Sequence, residues 1–343
     1  MKPIFISRKS NQGIGGLSRF YAELSSTFPT QHYHLAPSSL STVFALPFLH
    51  PSHILLCDAT LLPIGVMLKS VWKKPLIVRA HGLDLTYERR WYQYLLKWLL
   101  PKVDAIVLDS EPTKPLLEKF HLNKPTAVIP LGITTTHLAK SQLTSLPHSQ
   151  QNIVLTTVGN LVKRKGHVWF ISHVLTQLPK EYVYFIVGQG PEEKAIKKII
   201  QTHRLSKRVF LLGQLSHAQL RYVFDETDIY ICPNQPLKNN FESFGIAALE
   251  AAAMGLPVIA SLVDGLSHTI RNEKNGIVVA PTAKDFLKAI YTLRRKTARK
   301  HLGEKAKTYT LKHFSWKTTA NSYARLFAQL DKTQKSSQQS LAR

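Results

Sequence analysis

The stretches DIYICPN, Asp228–Asn234, and FESFGIAALEAAAMGLPVIAS, Phe241–Ser261, decide the fold. IYIC is a short apolar run bounded by an acid and by Pro-Asn, the signature of a strand buried on both faces. A helix is then predicted to start near Ser243 to Gly245 and to stop at Gly255, with Pro257 beyond it. PVIAS resumes as a second apolar strand. Strand, helix and strand in succession make a βαβ unit, which requires parallel strands and a covering helix. Two acids sit in this unit. Glu242 falls just before the helix, and Glu250 falls inside it on a face shared with Ile246, Ala247, Ala253 and Met254. A carboxylate among small and apolar residues needs a partner.

The same rhythm extends in both directions. PIFIS (3–7), HILLCD (53–58), PLIVRAHG (75–82), AIVLDS (105–110) and TAVIPLG (126–132) read as buried strands separated by helical stretches such as 17–28 and 92–102. HLAKSQLTSLPHSQQN, 137–152, has no apolar periodicity and reads as an interdomain linker. The rhythm restarts with IVLTTVGN (153–160), continues through VYFIVGQG (183–190) and RVFLLGQL (208–215), and ends near GIVVAP (276–281). The expectation is an α/β chain of two Rossmann-like, doubly wound parallel-sheet domains. Residues 1–140 form the first, 141–152 the linker and 153–313 the second. A helix spans 314–330, and a basic tail, 331–343, is expected to be disordered.

Composition narrows the partners. Lys and Arg number 45 against 21 Asp and Glu, a net charge of +24, which favours polyanionic ligands or surfaces. Cys57 and Cys232 lie far apart in apolar runs, as reduced buried thiols of a cytoplasmic protein would. The longest apolar region, 54–72, is interrupted by Asp58, Pro63 and Lys69, which argues against a membrane span.

In open parallel sheets ligands bind beyond the carboxyl ends of the strands. The loop NQGIGGLSRF (11–20) carries Gly13, Gly15 and Gly16, which would let the backbone approach a phosphate, but lacks the third glycine of the dinucleotide fingerprint. His81 follows the strand PLIV directly. Lys163, Arg164 and Lys165 follow the strand ending at Gly159, where cations can neutralise an anionic leaving group. No D-x-D triplet, P-loop or G-x-S-x-G occurs, so a metal held on a diphosphate, P-loop hydrolysis and α/β-hydrolase chemistry are not indicated.

Taken in order, these loops resemble the retaining glycosyltransferases of family 4, whose fold is the two-domain GT-B arrangement with domains facing across a cleft. ESFGIAALEAAAMGLPVIAS looks like that family's E-x7-E region. GIGGLSR, RAHGLD, VIPLGI, VGNLVKRKG, VGQGP, RNEKNGIVV and FSWKTTANSYARLF support the likeness. The resemblance implies that Glu242 faces the donor sugar, that Glu250 accepts hydrogen bonds from the nucleotide ribose, and that the amides of Phe244, Gly245 and Ile246 hold the diphosphate. It places Lys165, with Arg164, on the diphosphate and His81 near the sugar. It also puts Gly15 and Gly16 at the lip of the site and brings the helix around 316–330 back onto the first domain. Glu242, His81 and Lys165 are thus the implied catalytic residues, with no metal and no cofactor beyond a UDP-sugar or GDP-sugar donor.

Two positions depart from the family pattern. Asn160 stands where many members have Arg, and Asp264 to His268 replace the usual G-G-x-x-E loop. The expected reaction is hexose transfer to a sugar, lipid-linked or polysaccharide acceptor in cell-envelope synthesis. An anionic membrane surface is a further expected partner, and the place is the cytoplasm or the inner face of the plasma membrane. Nucleic acid is not expected to bind such a site. The alternatives are a nucleotide-sugar epimerase or hydrolase on the same fold, or a basic protein that uses the scaffold to bind nucleic acid or membrane.

Overall fold

The computed structural model describes residues 2–8, 24, 27, 31–35, 50–133, 146, 147, 149, 151–238 and 240–341. The chain forms two compact units, Met1–Gly132 with Phe314–Arg343, and Ile133–His313. The expected first-domain boundary at 140 and most of the 141–152 linker lie outside the described residues.

The first unit is built on a six-stranded parallel sheet in the order β2-β1-β3-β4-β5-β6. Its strands are β1 (Ile4–Arg8), β2 (Gln31–Leu35), β3 (Ile54–Leu56), β4 (Leu76–Ala80), β5 (Ala105–Leu108) and β6 (Thr126–Val128). β3, β4 and β5 are buried along their whole length, so their apolar continuity reflects cover on both faces. β2, sequence QHYHL, has no such continuity and was not anticipated. Among the described residues it pairs with β1 alone, at the sheet's edge, where a polar strand is tolerated. The helices α1 (Leu62–Trp72), α2 (Gly82–Thr86) and α3 (Arg90–Leu99) follow β3 and β4. Leu62, Leu68, Tyr92, Leu96 and Leu99 from these helices join Ile54, Leu56, Leu76 and Val78 from the strands in one core.

The second unit carries β7 (Ile153–Val158), β8 (Tyr182–Val187), β9 (Val209–Gly213), β10 (Ile229–Cys232), β11 (Val258–Ser261) and β12 (Ile277–Val279). Their order, β12-β11-β10-β7-β8-β9, is all parallel. Winding runs outward from β7 to β9 on one side and from β10 to β12 on the other. The reversal falls between β7 and β10, where open sheets hold ligands. Among the helices here are α4 (Glu193–Thr202), α5 (Ile246–Ala253) and α6 (Lys296–His313). α5 turns Ala248, Leu249, Ala251, Ala252 and Ala253 inward. Its small residues allow α6 to come close: a Cβ added at Gly303 of α6 would lie 2.0 Å from the Gly255 carbonyl oxygen.

The last helix, α7, runs from Trp316 to Leu341 and belongs to the first unit. This corrects the expected disordered tail. Residues 331–341 are polar but contain neither Gly nor Pro, and Lys and Gln retain good helix propensity, so the helix begun by the anchored part continues. That anchor is apolar and polar together. Tyr323, Leu326, Phe327 and Leu330 are buried, and the Tyr323 ring lies against Phe5 at 6.3 Å between centroids.

Candidate active site

In the second unit the turn after β7 is a single 3-10 turn, Lys163–Lys165, closed by Gly166. Gly166 has φ +70°, and a Cβ there would lie 1.9 Å from the Pro233 carbonyl oxygen. Only glycine meets both demands, a left-handed backbone and contact with the loop after β10. The Gln235 amide donates to the Arg164 carbonyl at 2.8 Å, so the two loops at the winding reversal are tied by backbone.

This tie sets Lys165 against Glu242. The Lys165 Nζ donates to Glu242 Oε2 at 2.5 Å, the Asn234 amide donates to the same oxygen at 3.0 Å, and Arg164 Nε stands 3.6 Å away. Glu242 is buried. Burial alone would raise its pKa, but the charges of Lys165 and Arg164 and the two hydrogen bonds outweigh it and hold the carboxyl below its ordinary range. Glu242 is therefore a carboxylate at neutral pH. Its backbone is fixed from the next loop: the Glu242 amide donates to Asp264 Oδ2 at 3.0 Å, and the Gly265 amide donates to the Glu242 carbonyl at 2.8 Å. Asp264 reaches this position with φ +43°, a conformation Asp tolerates better than most side chains. Burial pushes its own carboxyl pKa up, and the neighbouring Glu242 charge adds to that rise.

Gly245, φ +79°, is the N-cap of α5, and Thr269 donates to the carbonyl of Phe244 just before it. Gly245 has no side chain to cap the helix, so the amides of the first turn keep the positive end of the helix dipole. The helix starts at Ile246, one residue past the expected range of Ser243 to Gly245. Glu250 lies one turn in. It is half-buried, like Ile246, Ala247 and Met254 of the face it shares, while Ala253 of that face enters the core. Arg164, Lys165, Glu242, Phe244, Gly245, Ile246 and Glu250 thus all belong to loops and a helix at the carboxyl end of one sheet. Asn160 is exposed beside them, and His268 accepts from Arg271 at 3.3 Å.

His81 belongs to the first unit, immediately after β4. Its Nδ1 faces Asp109 Oδ2 at 2.7 Å, and its Nε2 faces the Cys57 carbonyl oxygen at 3.1 Å. Both partners are acceptors, an arrangement that both ring nitrogens can satisfy by donating only when the ring is the imidazolium. Burial works against that charge, yet the Asp109 carboxylate overcomes it and raises the His81 pKa. The ring offers no lone pair while these bonds stand. Asp109 in turn is gripped by Arg79, which is wholly buried on β4: Nε donates to Asp109 Oδ1 at 2.9 Å, one terminal nitrogen to the Ile129 carbonyl at 2.8 Å, and the other to Tyr323 Oη of α7 at 2.6 Å. Burial disfavours the Asp109 charge, but His81 and Arg79 bring its pKa down to about 2.

Asn234, Arg79 and Asp109 were not singled out from the sequence, and Asp264 was noted only within the loop that departs from the family pattern. Asp109 directly follows an apolar strand, the signal that did single out His81, and Asn234 follows one after Pro233. Arg79 gave none. Gly15 and Gly16 lie outside the described residues. Among the described residues no group of three or more His, Cys, Asp or Glu side chains is arranged to hold a metal ion.

The model of the glycosyl transferases group 1 matches residues 140–309, and that of glycosyltransferase family 4 matches residues 15–137. The GPI3 subunit of phosphatidylinositol N-acetylglucosaminyltransferase from Saccharomyces cerevisiae is 29% identical over 211 residues, 58% of this chain and 44% of that protein. An uncharacterised glycosyltransferase of Methanocaldococcus jannaschii is 25% identical over 68% of this chain and 60% of its own length. The chain therefore spans about half the length of the curated relatives it matches. Among solved structures, HepE of Anabaena in complex with UDP superposes with a TM-score of 0.78 at 17% identity, covering 96% of this chain and all of that one. Sucrose-phosphate synthase of Thermosynechococcus elongatus gives 0.78 at 20% identity, over 97% and 100%. These likenesses show the fold, two parallel-sheet α/β domains of the GT-B class. With both halves of the chain matched, 15–137 and 140–309, the protein belongs to glycosyltransferase family 4.

Proposed function

We propose that the chain is a retaining, metal-independent hexosyltransferase that takes its sugar from a nucleoside diphosphate donor, UDP- or GDP-linked. The acceptor is a hydroxyl of a sugar, lipid-linked or polysaccharide substrate in cell-envelope synthesis. The observation that carries the reading is the Lys165–Glu242 pair, buried at the winding reversal of the second sheet beside the dipole end of α5. In the reaction the bond from sugar C1 to the diphosphate oxygen breaks and a bond from C1 to the acceptor oxygen forms. The acceptor proton passes to the departing phosphate. Negative charge grows on the leaving group, and Lys165, Arg164 and the first-turn amides of α5 are the groups placed to stabilise it. When the diphosphate takes Lys165, Glu242 is released toward the sugar hydroxyls, while Glu250 is positioned for the ribose. HepE in its UDP complex and the N-acetylglucosaminyltransferase relatives support a nucleotide-sugar donor. The excess of 45 cations over 21 acids supports an anionic donor and work at the anionic inner face of the plasma membrane.

Titration calorimetry with UDP and GDP fixes the donor half. One nucleotide should bind clearly better, and Lys165→Ala should weaken it roughly ten- to a hundred-fold, the worth of a charge-assisted hydrogen bond. Equal affinity of Lys165→Ala and wild type, or donor turnover unaffected by Glu242→Ala, would sink the assignment.

A further inference from the structure

The helix α3 has two apolar stripes, and among the described residues only one of them packs into a core. Tyr92, Leu96 and Leu99 enter the core of the first unit. Trp91, Tyr94 and Trp98 form the other stripe and are exposed by 65%, 70% and 65%. Spaced i, i+3, i+7, they line one outer face over about 10 Å of helix. Large aromatic residues are normally mostly buried, so three of them on one exposed face mark a surface that something covers. α1 packs beside α3 and adds Met67 and Val71, exposed by 45% and 53%.

The charge around this face identifies the occupant. Segments 62–74 and 87–102 carry seven Lys and Arg against a single acid, Glu88. Arg89, Arg90, Lys73 and Lys97 are exposed, and Lys102 lies over the Trp98 ring with Nζ 3.6 Å from its centroid. Exposed Trp and Tyr interleaved with cations is the composition that seats a protein in the headgroup layer of an anionic bilayer, with the rings at the interface and the ammonium and guanidinium groups on phosphates. Among the described residues no helix is long and apolar enough to cross a membrane. The stripe is carried by α3, and the exposed Met67 and Val71 belong to α1, which packs beside it.

We propose that the outer face of α1 and α3, centred on Trp91, Tyr94 and Trp98, docks onto an anionic lipid bilayer. This rests on the membrane part of the function proposed above and assigns it to a surface. It does not rest on donor chemistry. Docking would bring the first unit, which carries His81, to the plane in which lipid-linked acceptors lie.

The test is flotation of the full chain with vesicles of phosphatidylcholine alone and of phosphatidylcholine mixed with phosphatidylglycerol. Binding is expected only to the mixed vesicles and should fall with salt. Neutralising Arg90→Gln with Lys97→Gln should lower partitioning roughly 25-fold, about five-fold for each cation. Trp91→Ala with Trp98→Ala should lower it roughly ten-fold. Lys296→Gln with Lys300→Gln on α6 removes equal charge from exposed positions of the second unit and should leave partitioning unchanged. Brominated lipid should quench wild-type tryptophan fluorescence, and the quenching should be lost in Trp91→Phe with Trp98→Phe. Circular dichroism on each variant checks that the fold is kept.

Three outcomes overturn the proposal: equal loss in the α6 control, which would make binding a property of net charge; vesicle binding without quenching; or no vesicle binding together with a dimer in sedimentation that the Trp variants dissolve, which would assign the face to a second copy of the chain. Nucleotide binding measured without vesicles separates the two readings. Intact nucleotide binding with no flotation removes only this inference, and intact flotation with no nucleotide binding removes only the transferase.

Discussion

A double-mutant cycle on Lys165 and Glu242 tests whether the pair is held for function rather than for stability. At 2.5 Å and an effective dielectric constant of about 20, the gross attraction is about 7 kcal/mol. Desolvating the two ions costs several kcal/mol for each, so the intact pair is worth little net. Removing one partner is different. Lys165→Met leaves the Glu242 carboxylate buried with one amide bond from Asn234 and a cation at 3.6 Å, and should destabilise the second unit by about 3 kcal/mol. Glu242→Gln should cost less, because the Lys165 side chain is 15% exposed and can turn its ammonium to water. The double variant should fall below the sum of the singles by about 2 kcal/mol.

Hydrogen exchange of the β7 and β10 amides, followed against urea, reads this unit without interference from the first. The pH dependence has a definite sign. The folded Glu242 pKa lies below its unfolded value of 4.5, so its contribution is fully present above pH 4.5 and is lost as pH falls through the folded pKa. In Lys165→Met burial dominates, the folded pKa rises, and the variant should instead gain stability as the carboxyl takes up a proton. Strict additivity of the two substitutions, or an unchanged pH profile in Lys165→Met, would refute the reasoning.

Asp109→Asn should cost the first unit about 3 kcal/mol, because it strands the Arg79 guanidinium with no exposed surface. Urea unfolding by tryptophan fluorescence reads it, since Trp72, Trp91, Trp98 and Trp316 all lie in that unit and only Trp169 lies outside. Asp109 adds a pH signature: with a folded pKa of about 2 against 3.8, its contribution is present above pH 3.8 and disappears toward pH 2, and the variant should lack that fall. Gly166→Ala combines a left-handed backbone with a Cβ 1.9 Å from a carbonyl oxygen, and should cost at least about 2 kcal/mol while displacing Lys165 and weakening nucleotide binding. Gly213→Ala has a similar φ of +67° but open space around it, and calorimetry should find its nucleotide affinity unchanged and its stability lower by only about 1 kcal/mol.

What the sequence disclosed and what it withheld follow from the range of each interaction. Burial on both faces writes itself into consecutive residues, so the runs that became β7, β8, β10 and β11 were legible, and so was the glycine-to-proline end of α5. β2 was not, because an edge strand can be as polar as QHYHL. The helical continuation past 330 was hidden for the opposite reason: it rests on propensity and on the anchor at Tyr323, while composition alone reads as a tail.

Charge partners were the least visible, since they depend on which strands the winding makes neighbours. Lys165 and Glu242 stand 77 positions apart and meet because β7 lies beside β10, while Arg79 reaches Tyr323 across 244 positions. Glu242 needed a partner, and sequence could say no more than that. The structure gives one physical reason why acids matter in so basic a chain. Asp109 and Glu242 are buried, and each is ionised only because cations of its own unit converge on it. Such acids hold Arg79, His81, Arg164 and Lys165 in fixed places. An anionic ligand reaching Lys165 has only to exchange one carboxylate for a phosphate at a cation that is already aimed.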